Sequence, residues 1–217
     1  MEPFSWAELI RRLEAAVDGN DPVITRMSRQ KRNPFLVLIG TLLSLRTKDE
    51  TTEKALNNLT MYATTPDGIL ALPPGKLEEI IFPVGFYRTK AKTLRQVSQT
   101  IIDKYKGQVP DTIDELLRMK GVGRKTANLV ITEGFGKLGI CVDTHVHRIS
   151  NRLGIVRSTT PDRTEMALRE SLPRMYWIRF NSLLVTFGKT VCTPISPKCS
   201  ICPLPSLCKR VGVTTSR

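Results

Sequence analysis

Apolar residues recur at helical spacing along most of the chain. Trp6, Leu9, Ile10, Leu13, Ala16 and Val17 fall on one face of a helix. Ser5 and Glu8 stand in front of them as a capping box. Pro34 suits the first position of the next helix, where its missing N–H is not needed. The apolar run Phe35 to Leu43 is interrupted by Gly40 and Thr41. It is well short of the ~20 residues of a membrane span, so it predicts a buried core helix. Helical spacing returns at Thr52, Ala55, Leu56 and Leu59, and again at Ala91, Leu94, Val97 and Ile101. Thr112 and Glu115 make a second capping box ahead of Ile113, Leu116 and Leu117. Further helices are predicted over about 144–152, 162–171 and 174–188. Breaks fall at Leu72-Pro73-Pro74-Gly75, Lys106-Gly107-Gln108-Val109-Pro110 and Gly121-Val122-Gly123. No run alternates with period two, and neither an internal repeat nor a low-complexity linker is present. The pattern therefore predicts an all-α fold.

Composition narrows the class. A chain of 217 residues can bury one sizeable core or two small ones. An apolar fraction of 41% excludes a disordered chain. The net charge of +13 draws polyanions to the surface, with nucleic acid the first expectation and an acidic membrane surface the second. The start, Met1-Glu2-Pro3-Phe4-Ser5, lacks the basic and apolar stretches of a signal peptide. A cytoplasmic protein, nucleoid-associated in a prokaryote, is expected. Of five cysteines, four lie in the last 26 residues. An odd count without a secretion signal favours a metal over disulfides. Cys141 stands apart and reads as a buried thiol.

Three groups of residues carry candidate chemistry. Residues 112–135 read as helix, tight turn, helix. Gly121 and Gly123 allow positive φ and a close backbone approach, and the second helix starts near Arg124. Its free N–H groups and dipole, with Lys120, Arg124 and Lys125, form a phosphate site that needs no base reading. An ordinary helix connection with solvated cations is the plainer alternative. Lys125, in the first helical turn beside Arg124, is expected to have its ammonium form disfavoured, and a neutral amine attacks a sugar carbon to form a Schiff base. Asp143 follows 18 residues later, within reach if the helix climbs about 18 Å and the chain returns extended. Spacing alone leaves Lys125 as a phosphate contact and Asp143 as a plain N-cap. Finally, Cys192, Cys199, Cys202 and Cys208 give C-x6-C-x2-C-x5-C, stiffened by Pro194, Pro197, Pro203 and Pro205. Four thiolates suit an iron–sulfur cluster or zinc.

Taken together, Leu117-Arg118-Met119-Lys120-Gly121-Val122-Gly123-Arg124-Lys125-Thr126-Ala127-Asn128, Val142-Asp143-Thr144-His145 and the cysteine loop resemble endonuclease III, a family of helix-hairpin-helix glycosylases. The likeness starts at Leu42-Leu43-Ser44 and runs in order over nearly the whole chain. It implies two helical domains with an active-site cleft between them. One is a six-helix barrel over 27–137 that carries the hairpin; the other is a cluster domain of 1–26 plus 138–217. It implies Lys125 as Schiff-base nucleophile, Asp143 as catalytic carboxylate and the four cysteines as ligands of a [4Fe–4S] cluster. The expected partner is duplex DNA with damaged bases or abasic sites, met by a monomer away from any membrane. The expected reaction is release of oxidised pyrimidines followed by β-elimination, on a base flipped from the duplex. Phe86 matches an apolar wedge, or else is a core aromatic. Lys90 and Lys92 hold phosphates or are solvated. Where relatives often read Ser-Ala-Gln-Ala-Thr-Asp, this chain has Ser44-Leu45-Arg46-Thr47-Lys48-Asp49. Arg46 thus takes the place of an inserting glutamine and meets an orphaned base or a phosphate. Between Cys192 and Cys199 the basic residue is Lys198, where relatives often carry several. The alternatives are a monofunctional mismatch glycosylase, which usually lacks a lysine at position 125, a non-catalytic iron–sulfur DNA-binding protein, and a zinc-stabilised module.

Overall fold

The structure, a computed structural model, describes residues 4–17, 21–30 and 33–217, with the backbone alone at 27, 29 and 30. Met1, Glu2 and Pro3, read above for a targeting segment, lie outside the described residues. The described residues are helical and contain no strand. Twelve α-helices are described: α1 Trp6–Val17, α2 Val23–Gln30, α3 Pro34–Ser44, α4 Asp49–Thr60, α5 Pro66–Ala71, α6 Pro74–Ile81, α7 Tyr87–Tyr105, α8 Ile113–Leu117, α9 Arg124–Leu129, α10 Thr144–Leu153, α11 Pro161–Ser171 and α12 Trp177–Thr190. None is long and apolar enough to cross a membrane. The chain divides into two compact units, Val23–Lys137 and Met1–Pro22 with Leu138–Arg217.

In the unit Val23–Lys137, α3 is the central helix. Asn33 caps its first turn, its Oδ1 accepting from the N–H groups of Phe35 and Leu36 at 3.0 and 3.1 Å. Pro34 occupies the first helical position. From Phe35 to Leu43 every residue but Leu36 is buried, against α2, α4, α7 and α9. Each large apolar side chain sunk there stabilises by roughly 1.5–3 kcal/mol. Thr41 is tolerated because its hydroxyl donates to Val37 O at 2.7 Å. Three helices were not evident from periodicity: α2, α5 and α6. Pro73-Pro74, read as a break, separates two short helices, and Pro74 opens α6.

The predicted helix over 124–135 changes pitch. After Leu129 it continues as a π turn, Val130–Gly134, with Phe135 N–H donating to Val130 O at 3.2 Å. The wider turn carries the buried Glu133, whose carboxylate accepts from Thr25 Oγ1 at 3.2 Å and from Ser28 Oγ at 2.5 Å. Those two hydroxyls satisfy a carboxylate that spacing alone would have left exposed.

The other unit packs α1 and α10 on α12, with Leu9, Leu13, Ile149, Leu153, Phe180 and Phe187 in its core. Trp6 meets Phe180 edge to face, centroids 6.1 Å apart. Glu8 does half of the capping-box job: its N–H donates to Ser5 Oγ at 3.3 Å. Its carboxylate instead takes Arg11 and Arg12, whose hydrogen bonds hold it down to about 2. Arg12 in turn reaches Pro203 O at 3.0 Å and ties the cysteine-rich segment to α1.

Candidate functional site

The turn between α8 and α9 uses its glycines differently. Gly121 adopts φ +90°, and a Cβ there would lie 2.6 Å from Thr93 Cγ2. Only glycine fits. Gly123 has φ −92° and ψ 175°, open to any residue, and a Cβ there would meet nothing within 4 Å. Positive φ is thus required at one glycine of the two, and the neighbour that comes close is a threonine side chain rather than backbone. Val122 turns inward, buried, with its N–H donating to Met119 O at 3.1 Å. It anchors the turn rather than facing solvent. Gly123 caps α9 without a side-chain hydrogen bond and is itself exposed, at the positive end of the helix. Lys120 is exposed, and Arg124 and Lys125 are half-buried in the first turn.

Asp143 is the N-cap of α10. Its Oδ1 accepts from the N–H groups of His145 and Val146, both at 2.9 Å. Both bonds of the cap fall on Oδ1. The segment before it is fixed by Asn181 Nδ2, which donates to Cys141 O at 3.0 Å. Cys141 itself is a buried thiol, as expected.

Cys192, Cys199, Cys202 and Cys208 line one cavity together with Arg152, Pro197 and Leu204. Burial pushes the thiols of Cys202 and Cys208 up, and their cysteine neighbours push the same way. Two arginines one turn apart on α10 hold the loop. Arg148 Nη2 donates to Cys192 O at 2.9 Å and to Gly188 O at 3.2 Å. Arg152 Nη1 donates to Thr193 O at 2.7 Å and to Cys192 Sγ at 3.4 Å. The backbone N–H of Arg210 donates to Cys208 Sγ at 3.4 Å. Donors aimed at sulfur are what electron-rich thiolates around a metal require. Among the described residues no group of His, Cys, Asp or Glu is arranged to hold a metal ion, so the fit rests on the shared cavity and the chemistry of its donors. The sequence reading missed both arginines, although their i, i+4 spacing after Asp143 was visible.

The turn after α3 meets the turn before α7. Phe86, the N-cap of α7, has φ +59° and is 64% exposed, so it is not a core aromatic. Arg46, also left-handed at φ +52°, sets its guanidinium 5.8 Å from the Phe86 ring centroid. A Cβ on Gly85 would strike Arg46 O at 2.7 Å. Lys90 corrects an expectation: it neither faces solvent nor is placed to hold a phosphate. It is 8% exposed, and its Nζ donates to Leu43 O at 2.7 Å, Leu45 O at 2.5 Å and Thr47 Oγ1 at 2.9 Å. Burial pushes its amine down to about 8. Lys92 is exposed.

Known proteins resemble this chain in sequence and in fold. Residues 39–174 match the HhH-GPD superfamily of base excision DNA repair proteins. Endonuclease III of Thermotoga maritima is 45% identical over 189 residues, 86% of this chain and 89% of that protein. Endonuclease III of Bacillus subtilis is 39% identical over 178 residues, 82% of this chain and 81% of that protein. The fold is similar to that of a trapped endonuclease III–DNA covalent intermediate, an estranged-adenine complex, with TM-score 0.80 and 34% identity over 96% of this chain and 97% of that one. A non-covalent endonuclease III–DNA complex matches equally.

Proposed function

The chain belongs to the HhH-GPD superfamily of base excision DNA repair proteins, and on that footing we propose that it is a DNA glycosylase with strand-cleaving lyase activity on oxidised pyrimidines in duplex DNA. The observation that carries the reading is Lys125 in the first turn of α9, next to an uncapped helix start with open space at Gly123. The α9 amides and Gly121, Gly123 and Arg124 take a DNA phosphate, with Val122 as their internal anchor. The Lys125 amine attacks C1′ of the flipped nucleotide as the base leaves, and the C–N bond formed becomes a Schiff base. Asp143 accepts the amine's proton and offsets positive charge on the sugar, through the oxygen its helix cap does not use. The iminium acidifies C2′; loss of that proton expels the 3′ phosphate.

In the same reading Arg46 and Phe86 enter the duplex. An exposed aromatic ring fills the space of the flipped base, and the guanidinium hydrogen-bonds the base left behind. The four cysteines hold a [4Fe–4S] cluster, which supplies structural cross-links to the loop around their shared cavity. A visible absorption band near ~400 nm distinguishes it from zinc, which is d¹⁰ and colourless.

Borohydride reduction during turnover tests the lyase assignment. Wild-type protein is expected to form a covalent adduct with a damaged duplex, and Lys125→Ala to form none. Strand cleavage that survives Lys125→Ala defeats the assignment.

A further inference from the structure

A buried lysine with three oxygen partners joins the two turns just described. Its ammonium has three N–H donors, and each meets one acceptor. Two are carbonyls at the end of α3, the negative end of that helix, where a cation completes the last turn. The third is Thr47 Oγ1, which also accepts the N–H of Gly85 at 3.2 Å, on the opposite turn. The backbone N–H of Lys90 closes the first turn of α7 by donating to Phe86 O at 2.9 Å. One residue therefore touches the carbonyls flanking Ser44, the hydroxyl next to Arg46, and the carbonyl of Phe86. Arg46 and Phe86 are both left-handed and neither is glycine, a backbone state that persists only where the surroundings fix it.

We propose that Lys90 is a positioning residue that fixes the Arg46 and Phe86 turns to each other, so that both side chains enter DNA as one two-pronged element. This rests on the reading above that these side chains enter the duplex. Lys90 contacts neither DNA nor the reacting sugar. It removes the freedom of one prong relative to the other before DNA arrives, so the ordering is complete in the free protein.

The full-length holoprotein tests this on an abasic-site oligonucleotide, made by removing uracil, as single strand and as duplex with each of the four bases opposite. Insertion matters only in the duplex. Lys90→Met, which keeps length and apolar bulk, is expected to lower the ratio of duplex to single-strand cleavage by about tenfold to a hundredfold. It also narrows the spread among the four opposite bases. In an Arg46→Ala, Phe86→Ala background the same change shifts the ratio by less than about twofold, because there are no prongs left to align. If Lys90→Met does not fold, Thr47→Val is the second variant. It keeps the two carbonyl bonds, breaks the tie to Gly85, and is expected to lower the ratio by about threefold. Equal losses on single strand and duplex, or an effect undiminished in the double-alanine background, overturn the proposal. A 2-aminopurine opposite the abasic site reports unstacking by fluorescence without any cleavage. Wild-type protein that unstacks the probe but cuts nothing leaves Lys90 in place and removes the lyase reading; a Lys90→Met signal equal to wild type removes Lys90.

Discussion

Two helices in the unit Val23–Lys137, α7 and α9, start without a side-chain cap, and each follows a turn with a glycine. At the start of α7 the protein fills that space itself: a Cβ on Gly85 would lie 2.7 Å from Arg46 O, and Lys90 is enclosed by three oxygens. At the start of α9 the space in front of Gly123 is open. Each helix has a lysine in or just past its first turn, yet one lysine is enclosed by protein oxygens and the other, the nucleophile of the proposed reaction, sits beside an open turn. An uncapped helix start is therefore not one signal. What distinguishes the two is whether the chain returns to cover it.

Four changes break or sharpen this contrast. The largest effect is expected from Lys125→Ala. It abolishes adduct formation and slows strand cleavage by roughly 10⁴-fold or more, the scale of nucleophile deletions, with the melting temperature close to wild type. Asp143→Asn keeps the oxygen that caps α10 but loses the proton acceptor, so single-turnover base release falls by roughly 10²–10⁴-fold. Two alanine substitutions then set the two turns against each other. Gly85→Ala forces a methyl onto a backbone carbonyl and destabilises by about 1–3 kcal/mol in denaturant titration. Gly123→Ala adds its methyl to open space in an allowed conformation, so stability changes by less than about 0.5 kcal/mol. The same Gly123→Ala weakens DNA binding, because the methyl takes the room of the phosphate. A Gly123→Ala variant with normal DNA affinity argues that this opening is not the phosphate site.

A further test concerns pH. Lys90 has its pKa lowered to about 8 in the folded protein, against 10.5 for the free side chain. Between these values the unfolded chain binds more protons than the folded one, so the slope of stability with pH is positive. The burial penalty is in full force below pH 8 and fades as pH rises towards 10.5. Wild-type stability is expected to rise with pH in that window relative to Lys90→Met, as read from paired melting curves. Equal slopes for the two proteins count against a buried ammonium.

Much of the candidate site was legible because it is local. The four cysteines lie within 17 residues of chain, the Gly-x-Gly turn and the Asp143 cap within a few, and short spacing constrains geometry. The long amphipathic helices were legible for the same reason. The short helices α5 and α6 were not, since six to eight residues carry too little periodicity to separate them from a proline-rich break. The π turn was hidden because it depends on hydroxyls more than 100 residues away, Thr25 and Ser28, that take up the Glu133 carboxylate. Lys90 was misread for a like reason: four residues after an exposed aromatic, on a basic chain, it looked like another surface cation. Its partners, Leu43, Leu45 and Thr47, lie more than 40 residues earlier.

Arg217 acts as a brace on the cysteine loop. Arg217 donates its N–H to Pro197 O at 2.9 Å, and its own carbonyl accepts from Ser200 N–H at 3.0 Å. This residue is thus paired to the stretch between Cys192 and Cys202. Cutting the chain back to remove Arg217 is therefore expected to loosen the loop that carries Cys199 and Cys202.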